Sequence, residues 1–397
     1  MAAVILLSLL PFSSYVALLP SIQADWELSN GQAAIVFSAY LVGYAASSLV
    51  LVPLTDRISA RRVLVAGLLV AGVANLAFPF LATDMTTASA LRFVAGAGHV
   101  AVYVPGIQLV STRFAAGRRG TAVSVFVAAA YAGTTMSYVV TAVFANITAA
   151  WQDAFLLTSL VSLGGLALAA APGLGRRAAT AGPYAPTAGL SGRLDLAILR
   201  HRPTALVIGA YSLHSAELYL ARLWLPLLLG ASLSRAGRLS DDAAEIAAAL
   251  AGLMFALGIA GVFVGGALSD RIGRARGAMV IFAFSGVCSF TAGWLVNFPP
   301  GLLIAVGFAY GFATAADSAI YSTAVTEYAP AGRTGSSQAV QSFAGFSIGA
   351  VAPVVAGSIL DVSTSSLAWG LAFSFNGLLA AAGVLLLLLL HRSTAGR

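Results

Sequence analysis

The chain reads as a series of long apolar runs set between short polar breaks. The runs cover residues 2–22, 32–54, 63–82, 87–110, 120–145, 151–172, 204–230, 245–268, 277–296, 301–326, 335–360 and 367–391. Each has about the 20 mostly apolar residues that a helix needs to cross the hydrocarbon core of a bilayer. In lipid only helices or closed barrels satisfy the backbone, and these runs are too long and too continuous for barrel strands. The pattern therefore predicts an all-α polytopic membrane protein with twelve transmembrane helices. The first run has no basic segment before it and no small-residue cleavage site after it, so it reads as a span rather than a signal peptide.

Composition sharpens this picture. Of 397 residues, 59% are apolar and 9% charged, against about 25% charged in soluble domains. Mean hydropathy is +0.91. These values exclude a soluble enzyme, a disordered chain and a disulfide scaffold, and twelve spans leave no room for a sizeable soluble domain. The sole cysteine, Cys288, can form neither an internal disulfide nor a thiolate cluster.

Charge then orients the spans. All 21 basic residues are arginine, and the net charge is +7. One alternate set of loops and the C-terminal tail carry Arg57, Arg61, Arg62, Arg113, Arg118, Arg119, Arg176, Arg177, Arg193, Arg200, Arg202, Arg271, Arg274, Arg276, Arg333, Arg392 and Arg397, 17 of the 21. The other set carries only Arg235 and Arg238. The positive-inside rule makes the first set cytoplasmic, with both termini inside a cytoplasmic (inner) membrane. A different span count would put arginine clusters on both sides. The arginines thus report topology, and nucleic acid is excluded as a partner. The longest connection, 173–203, is rich in Gly and Pro before a short amphipathic stretch. It separates a first half, 1–172, from a second, 204–397.

The halves repeat each other. Leu54-Thr55-Asp56-Arg57-Ile58 recurs as Leu268-Ser269-Asp270-Arg271-Ile272, Gly117-Arg118-Arg119-Gly120 as Gly332-Arg333-Thr334-Gly335, and Trp151-x-x-Ala154-Phe155 as Trp369-x-x-Ala372-Phe373. Order and offset are preserved, and six spans per half make the repeats parallel, an architecture used by secondary transporters. Gly266-Ala267-Leu268-Ser269-Asp270-Arg271-Ile272-Gly273-Arg274 closely resembles the loop signature G-x-L-[AS]-D-R-x-G-R of the major facilitator superfamily. Arg92-Phe93-Val94-Ala95-Gly96-Ala97-Gly98 is similar to that family's fourth-helix signature. The resemblance covers the whole chain. It implies two six-helix bundles rocking about a cavity lined by spans 1, 4, 7 and 10, with Gly266, Asp270, Arg271, Gly273 and Arg274 at a cytoplasmic gate. Asp56 and Arg57 form the weaker first-half copy, because Val52, Ser59 and Ala60 replace its two glycines and final arginine.

Ionisable residues inside spans are costly and mark function by default. They are Arg92 and His99 in span 4, His214, Glu217 and Arg222 in span 7, and Asp317 in span 10. His99, His214, Glu217 and Asp317 fall near the midplane, and Arg92 and Arg222 nearer the outer side. At 100° per residue, Arg92, His99 and Tyr103 share a face of span 4. Tyr211, His214 and Glu217 follow at three-residue steps on span 7, and Tyr310, Thr314, Asp317 and Tyr321 share a face of span 10. Glu217 and Asp317 are candidate proton carriers, His214 and His99 candidate relays, and Arg92 a candidate partner for a carboxylate or an anionic solute. The competing reading is a static polar network that glues helices together. His214-x-x-Glu217 could also hold a metal, but no H-E-x-x-H and no cysteine partner accompanies it, so no metal and no cofactor is assigned. Gly258, Gly261, Gly265, Gly345 and Gly349 predict close helix packing, and Pro20 and Pro226 predict kinks in spans 1 and 7.

The function these residues imply is secondary active transport by alternating access. The expected solute is small and polar or anionic, moved by a proton-coupled symporter that acts as a monomer. A uniporter, a drug or metabolite exporter, and a transporter-like nutrient sensor remain open; no nucleophile, base and orienting group supports an enzyme. The arginine asymmetry carries a test. Reporter fusions at Ala178 and Ser234 should give opposite sidedness, and the same side for both would rule out the twelve-span topology.

Overall fold

The computed structural model describes residues 1–54, 58–111, 113–114, 116–171, 196–237, 243–331, 333–363 and 365–394. Asp56, Arg57, Arg238 and most of the 173–203 connection, with Arg176, Arg177 and Arg193, lie outside the described residues.

Helices account for the described spans. The first half contains α1 (Ala2–Ser8), α2 (Ser14–Ala17), α3 (Leu19–Trp26), α4 (Asn30–Leu54), α5 (Ala60–Leu81), α6 (Met85–Ser111), α7 (Ala116–Ile147) and α8 (Trp151–Ala170). The second contains α9 (Arg202–Arg235), α10 (Ala243–Ile272), α11 (Arg274–Ala292), α12 (Pro300–Ala316), α13 (Ser318–Glu327), α14 (Thr334–Val362) and α15 (Ser366–Thr394), with 3₁₀ turns at Leu196–Arg200 and Gly293–Asn297. Eleven helical segments are each long and apolar enough to cross a membrane.

The twelfth span is the first, and here the expected continuous helix over 2–22 is corrected. It is divided into α1, α2 and α3. Pro11 has no backbone N–H to continue a helix, and Pro20, expected to kink the span, sits in the first turn of α3, where proline is tolerated. In a dry interior the freed backbone groups need partners, and α7 and α6 supply them. The Ser13 N–H donates to Ser137 Oγ at 2.9 Å, Ser13 Oγ to the Thr134 carbonyl at 3.0 Å, and Ser137 Oγ to the Leu10 carbonyl. Arg92 of α6 donates to the Pro11 and Phe12 carbonyls at 3.4 and 3.1 Å. The tenth span is also interrupted: α12 ends and α13 begins at Asp317, so the predicted four-residue face of one helix is divided between two. Pro226 lies within a continuous α9.

Within each half, helices approach closely through glycine. A Cβ on Gly96 would sit 2.0 Å from the Tyr40 carbonyl oxygen, and one on Gly43 2.1 Å from that of Phe93, so α4 and α6 touch backbone to backbone. In the second half a Cβ on Gly261 would sit 2.3 Å from the Phe312 carbonyl oxygen and one on Gly265 1.9 Å from that of Ala316, which locks α10 to α12. Gly345 and Gly349 make room for the rings of Tyr211 and Tyr219.

Two helix pairs form the seam between the halves: α4 against α14, and α7 against α10. Tyr44 of α4 and Phe346 of α14 stack across it, with ring centroids 4.0 Å apart and planes at 21°. At the end of the seam away from the chain termini, the Asp361 carboxylate of α14 caps the start of α4. It accepts from the Asn30 N–H at 2.7 Å and from the Gly31 N–H and Ser29 Oγ at 2.8 Å each. The first N–H groups of a helix have no partner within the helix and carry partial positive charge, so a carboxylate fits there.

Asp361→Ala removes three charge-assisted hydrogen bonds, together about 1–3 kcal/mol at a solvated site. That should shift the population towards a state open at this end by roughly tenfold. Labels on the exposed residues Gln32 and Ser358 should show a longer mean separation in the variant, measured by pulsed electron resonance.

Candidate functional site

Three of the six intramembrane ionisable residues lie on α9, and its turn distributes them over different surroundings. Tyr211 and Glu217 are six residues apart, which rotates their directions by about 120°. Tyr211 faces Tyr321 of α13, with ring centroids 5.9 Å apart, and the glycine notch at Gly345. His214 faces the α12–α13 interruption. Glu217 turns into the second-half bundle.

His214 and Asp317 form the most unusual contact. His214 Nδ1 lies 3.1 Å from Asp317 Oδ1, and His214 Nε2 lies 3.0 Å from Ser318 Oγ. Both residues are almost completely buried. The short contact to Nδ1 is not aligned as a hydrogen bond, and the hydroxyl of Tyr321 of α13 lies beside the Asp317 carboxylate. Burying a carboxyl group with no arginine beside it among the described residues is costly, which makes this pair unusual. The His214 ring is enclosed by Tyr321, Phe282 and Tyr211, at centroid distances of 5.2, 6.0 and 6.1 Å. Tyr131 of α7, from the other half, interacts with Ser318 and Asp317, so this pair borders the seam.

Glu217 is fully buried away from the seam. Ser285 Oγ of α11 lies 2.8 and 2.9 Å from its two oxygens. Asn376 of α15 lies next to it, its Nδ2 donating to the Tyr310 hydroxyl at 2.8 Å. Every one of these neighbours belongs to the second half. His214 and Glu217 therefore have different close partners, although Asp317 and Tyr321 both interact with Glu217, and among the described residues no three His, Cys, Asp or Glu side chains converge where a metal ion would be held.

In the first half, Arg92 has no carboxylate partner among the described residues. Its guanidinium binds the broken first span and lies over the rings of Tyr40 and Tyr15, at 4.8 and 5.5 Å from their centroids. His99 packs on the other side of Tyr40, ring centroids 6.2 Å apart, and its Nε2 has no partner. Tyr103 packs on Phe126 at 5.9 Å. Tyr310 and Thr314 are buried on α12. Arg222 is buried near the seam, with its guanidinium carbon 5.8 Å from the centre of the Tyr131 ring.

The loop signature forms a separate cluster at the end of the second half that carries the C-terminus. Gly273 has φ +90°, a conformation open to glycine, and it turns α10 into α11 in one residue. Gly266 meets nothing where a Cβ would stand, so the close helix contact belongs to Gly265. Arg271 is exposed. Arg274 reaches back to Asp270 and Ser269 Oγ and across to Glu327 at the end of α13, with Nε–O distances of 3.1 and 3.3 Å. Glu327 was not singled out in the sequence, and no local spacing marks it: it lies 53 residues from Arg274. Ser285, Ser318, Asn376 and Phe346 escaped notice because isolated Ser, Asn and Phe are ordinary in apolar helices.

The sequence pattern of the Major Facilitator Superfamily matches residues 1–353 and, in a second match, 237–397. No curated protein matches the sequence. A crystal structure of a mutant of the nucleoside transporter NupG is similar, with a TM-score of 0.76 at 13% identity over 98% of each chain. The xylose transporter XylE from E. coli, in a partially occluded inward-open conformation, has a TM-score of 0.70 at 14% identity, over 97% of this chain and 95% of its own.

The Arg274 cluster ties the α10–α11 turn to α13, so transport should depend on it. Glu327→Gln and Asp270→Asn should each slow solute exchange in proteoliposomes several-fold, with normal insertion. Wild-type exchange in both single variants and in the double variant would reduce the cluster to a topology anchor.

Proposed function

Because the chain belongs to the major facilitator superfamily, we propose that it is a secondary active transporter of a small polar or anionic solute, driven by a proton gradient through alternating access. The family and the two structural relatives point to transport rather than to an enzyme. The arginine distribution supports a cytoplasmic membrane with both termini inside, and we take the protein as a monomeric symporter.

The buried His214–Asp317 pair carries the proton-coupled reading. It sits at the interruption between α12 and α13, beside the seam, with no arginine to hold the carboxylate ionised. Broken helices near the centre of a repeat-built transporter are where solute and coupling ion bind. A proton taken up by the pair changes its charge, and the interior tolerates different charge states to different degrees. The proton then has a differential free energy in the two conformations, which coupling requires. Glu217, held by Ser285 inside one bundle, is the second carrier candidate and the one whose surroundings change less when the seam opens.

The test uses purified protein in proteoliposomes, with a solute found by screening small metabolites for pH-gradient-driven uptake. Asp317→Asn should abolish uphill accumulation, a loss of at least tenfold, while counterflow exchange persists. Glu217→Gln should have the smaller effect. Gradient-driven accumulation at the wild-type level in Asp317→Asn, Glu217→Gln and the double variant would remove both carboxyl groups as proton carriers.

A further inference from the structure

The buried charges of this protein are sorted by sign. Both intramembrane carboxyl groups, Glu217 and Asp317, are matched with serine, asparagine or histidine neighbours. Both intramembrane guanidinium groups face rings and carbonyl groups, and neither meets a carboxylate among the described residues. For Arg92 the arrangement has a local cause, since it satisfies the carbonyls of the broken first span. Arg222 has no such task. It is 8% exposed, its Nε has no partner, and its guanidinium donates no hydrogen bond to any described residue. An uncompensated cation inside a membrane is costly even on insertion scales that allow relaxation.

The surroundings of Arg222 come from both halves. Tyr131 of α7 lies under the guanidinium, and the Tyr138 hydroxyl of α7 donates to the Arg222 carbonyl at 2.7 Å, which fixes this turn of α9 against the first half. Tyr219, one turn along α9, packs against Phe346 with centroids 5.6 Å apart, and Phe346 stacks on Tyr44. A band of aromatic faces thus runs along the seam and ends at an unpaired cation. One turn beyond Arg222 on α9, Pro226 lines a cavity of about 290 Å³ between α2–α3 and α9–α10, bordered also by Val16, Gln23, Gly230 and Ser234.

We propose that Arg222 is the anion subsite of the solute site, and that the solute is a monocarboxylate bearing a planar ring. The carboxylate pairs with Arg222 and the ring lies along Tyr219, Phe346 and Tyr44. A single charge follows from a single free guanidinium: there is no lysine in the chain, and Arg92 is occupied with backbone carbonyls. Geometry favours a carboxylate, which matches the guanidinium fork in a two-point pairing. The inference rests on the transporter reading and deepens it. One monoanion on Arg222 and one proton on the His214–Asp317 pair move together without net charge.

Binding to the purified full-length chain in detergent tests this apart from coupling. The probes are benzoate, cinnamate and nicotinate, each set against its amide, with acetate as the ringless anion, and the readouts are the melting shift and tryptophan fluorescence. At least one ring carboxylate should bind ten times or more tightly than its amide and than acetate. Arg222→Gln should remove that preference, and Arg222→Lys should retain part of it, which separates loss of charge from loss of fold. Equal binding of every acid and its amide, no binding of any ring carboxylate, or an unchanged preference in Arg222→Gln would overturn the assignment. Asp317→Asn distinguishes the two readings. If it keeps carboxylate binding yet still accumulates solute uphill, proton coupling through Asp317 fails while the anion subsite stands.

Discussion

The interior of this protein contains almost no charge and must satisfy every polar group from within. That constraint decides where the helices stay intact and where they break. Along most of the chain the helix itself provides the partners. Between Leu9 and Ser13 it does so only in part: the Leu9, Leu10 and Phe12 N–H groups keep local backbone partners, while α7 hydroxyls and the Arg92 guanidinium serve the Ser13 N–H and the Leu10, Pro11 and Phe12 carbonyls. Arg92 is therefore held in place by the break, and the break by Arg92. Neither would be stable in the hydrocarbon core alone.

The same constraint separates rigid parts from the movable one. Inside each half, glycines bring backbones into contact along α4–α6 and α10–α12, and such packing loses contacts sharply on displacement. Across the seam α4 and α14 meet through one stacked ring pair, Tyr44 and Phe346, a close approach of Gly357 to the Asn30 carbonyl, and the Asp361 carboxylate that caps α4. Ring faces can slide and a capping carboxylate can exchange its partners for water. The material thus favours two bundles that move as units.

Charge is distributed unequally between those units. The second half holds the His214–Asp317 pair, Glu217 and Arg222, whereas the first holds Arg92 and His99. The second half also carries the intact loop signature, where Arg274 joins Asp270 to Glu327. The buried carboxyl groups and the loop-signature cluster are thus concentrated in one bundle, with Tyr131, Tyr138 and Tyr44 of the first half meeting that bundle across the seam.

Sequence alone determined the class of fold. Apolar runs of spanning length, arginine asymmetry and the internal repeat are properties of the chain that need no contacts to read, because the bilayer acts on hydropathy and charge residue by residue. It also marked the intramembrane ionisable residues, since their cost is local. Which of them meet was decided by tertiary structure. Tyr211, His214 and Glu217 follow at three-residue steps, over which the helix turns through about 120°, and only the packing shows that this delivers Glu217 to Ser285 and His214 to Asp317. The break in the first span, the interruption at Asp317, and the distant partners Glu327 and Asp361 were likewise hidden. Each depends on which backbone groups and side chains another helix brings within about 3 Å, and hydropathy along one helix carries no information about that.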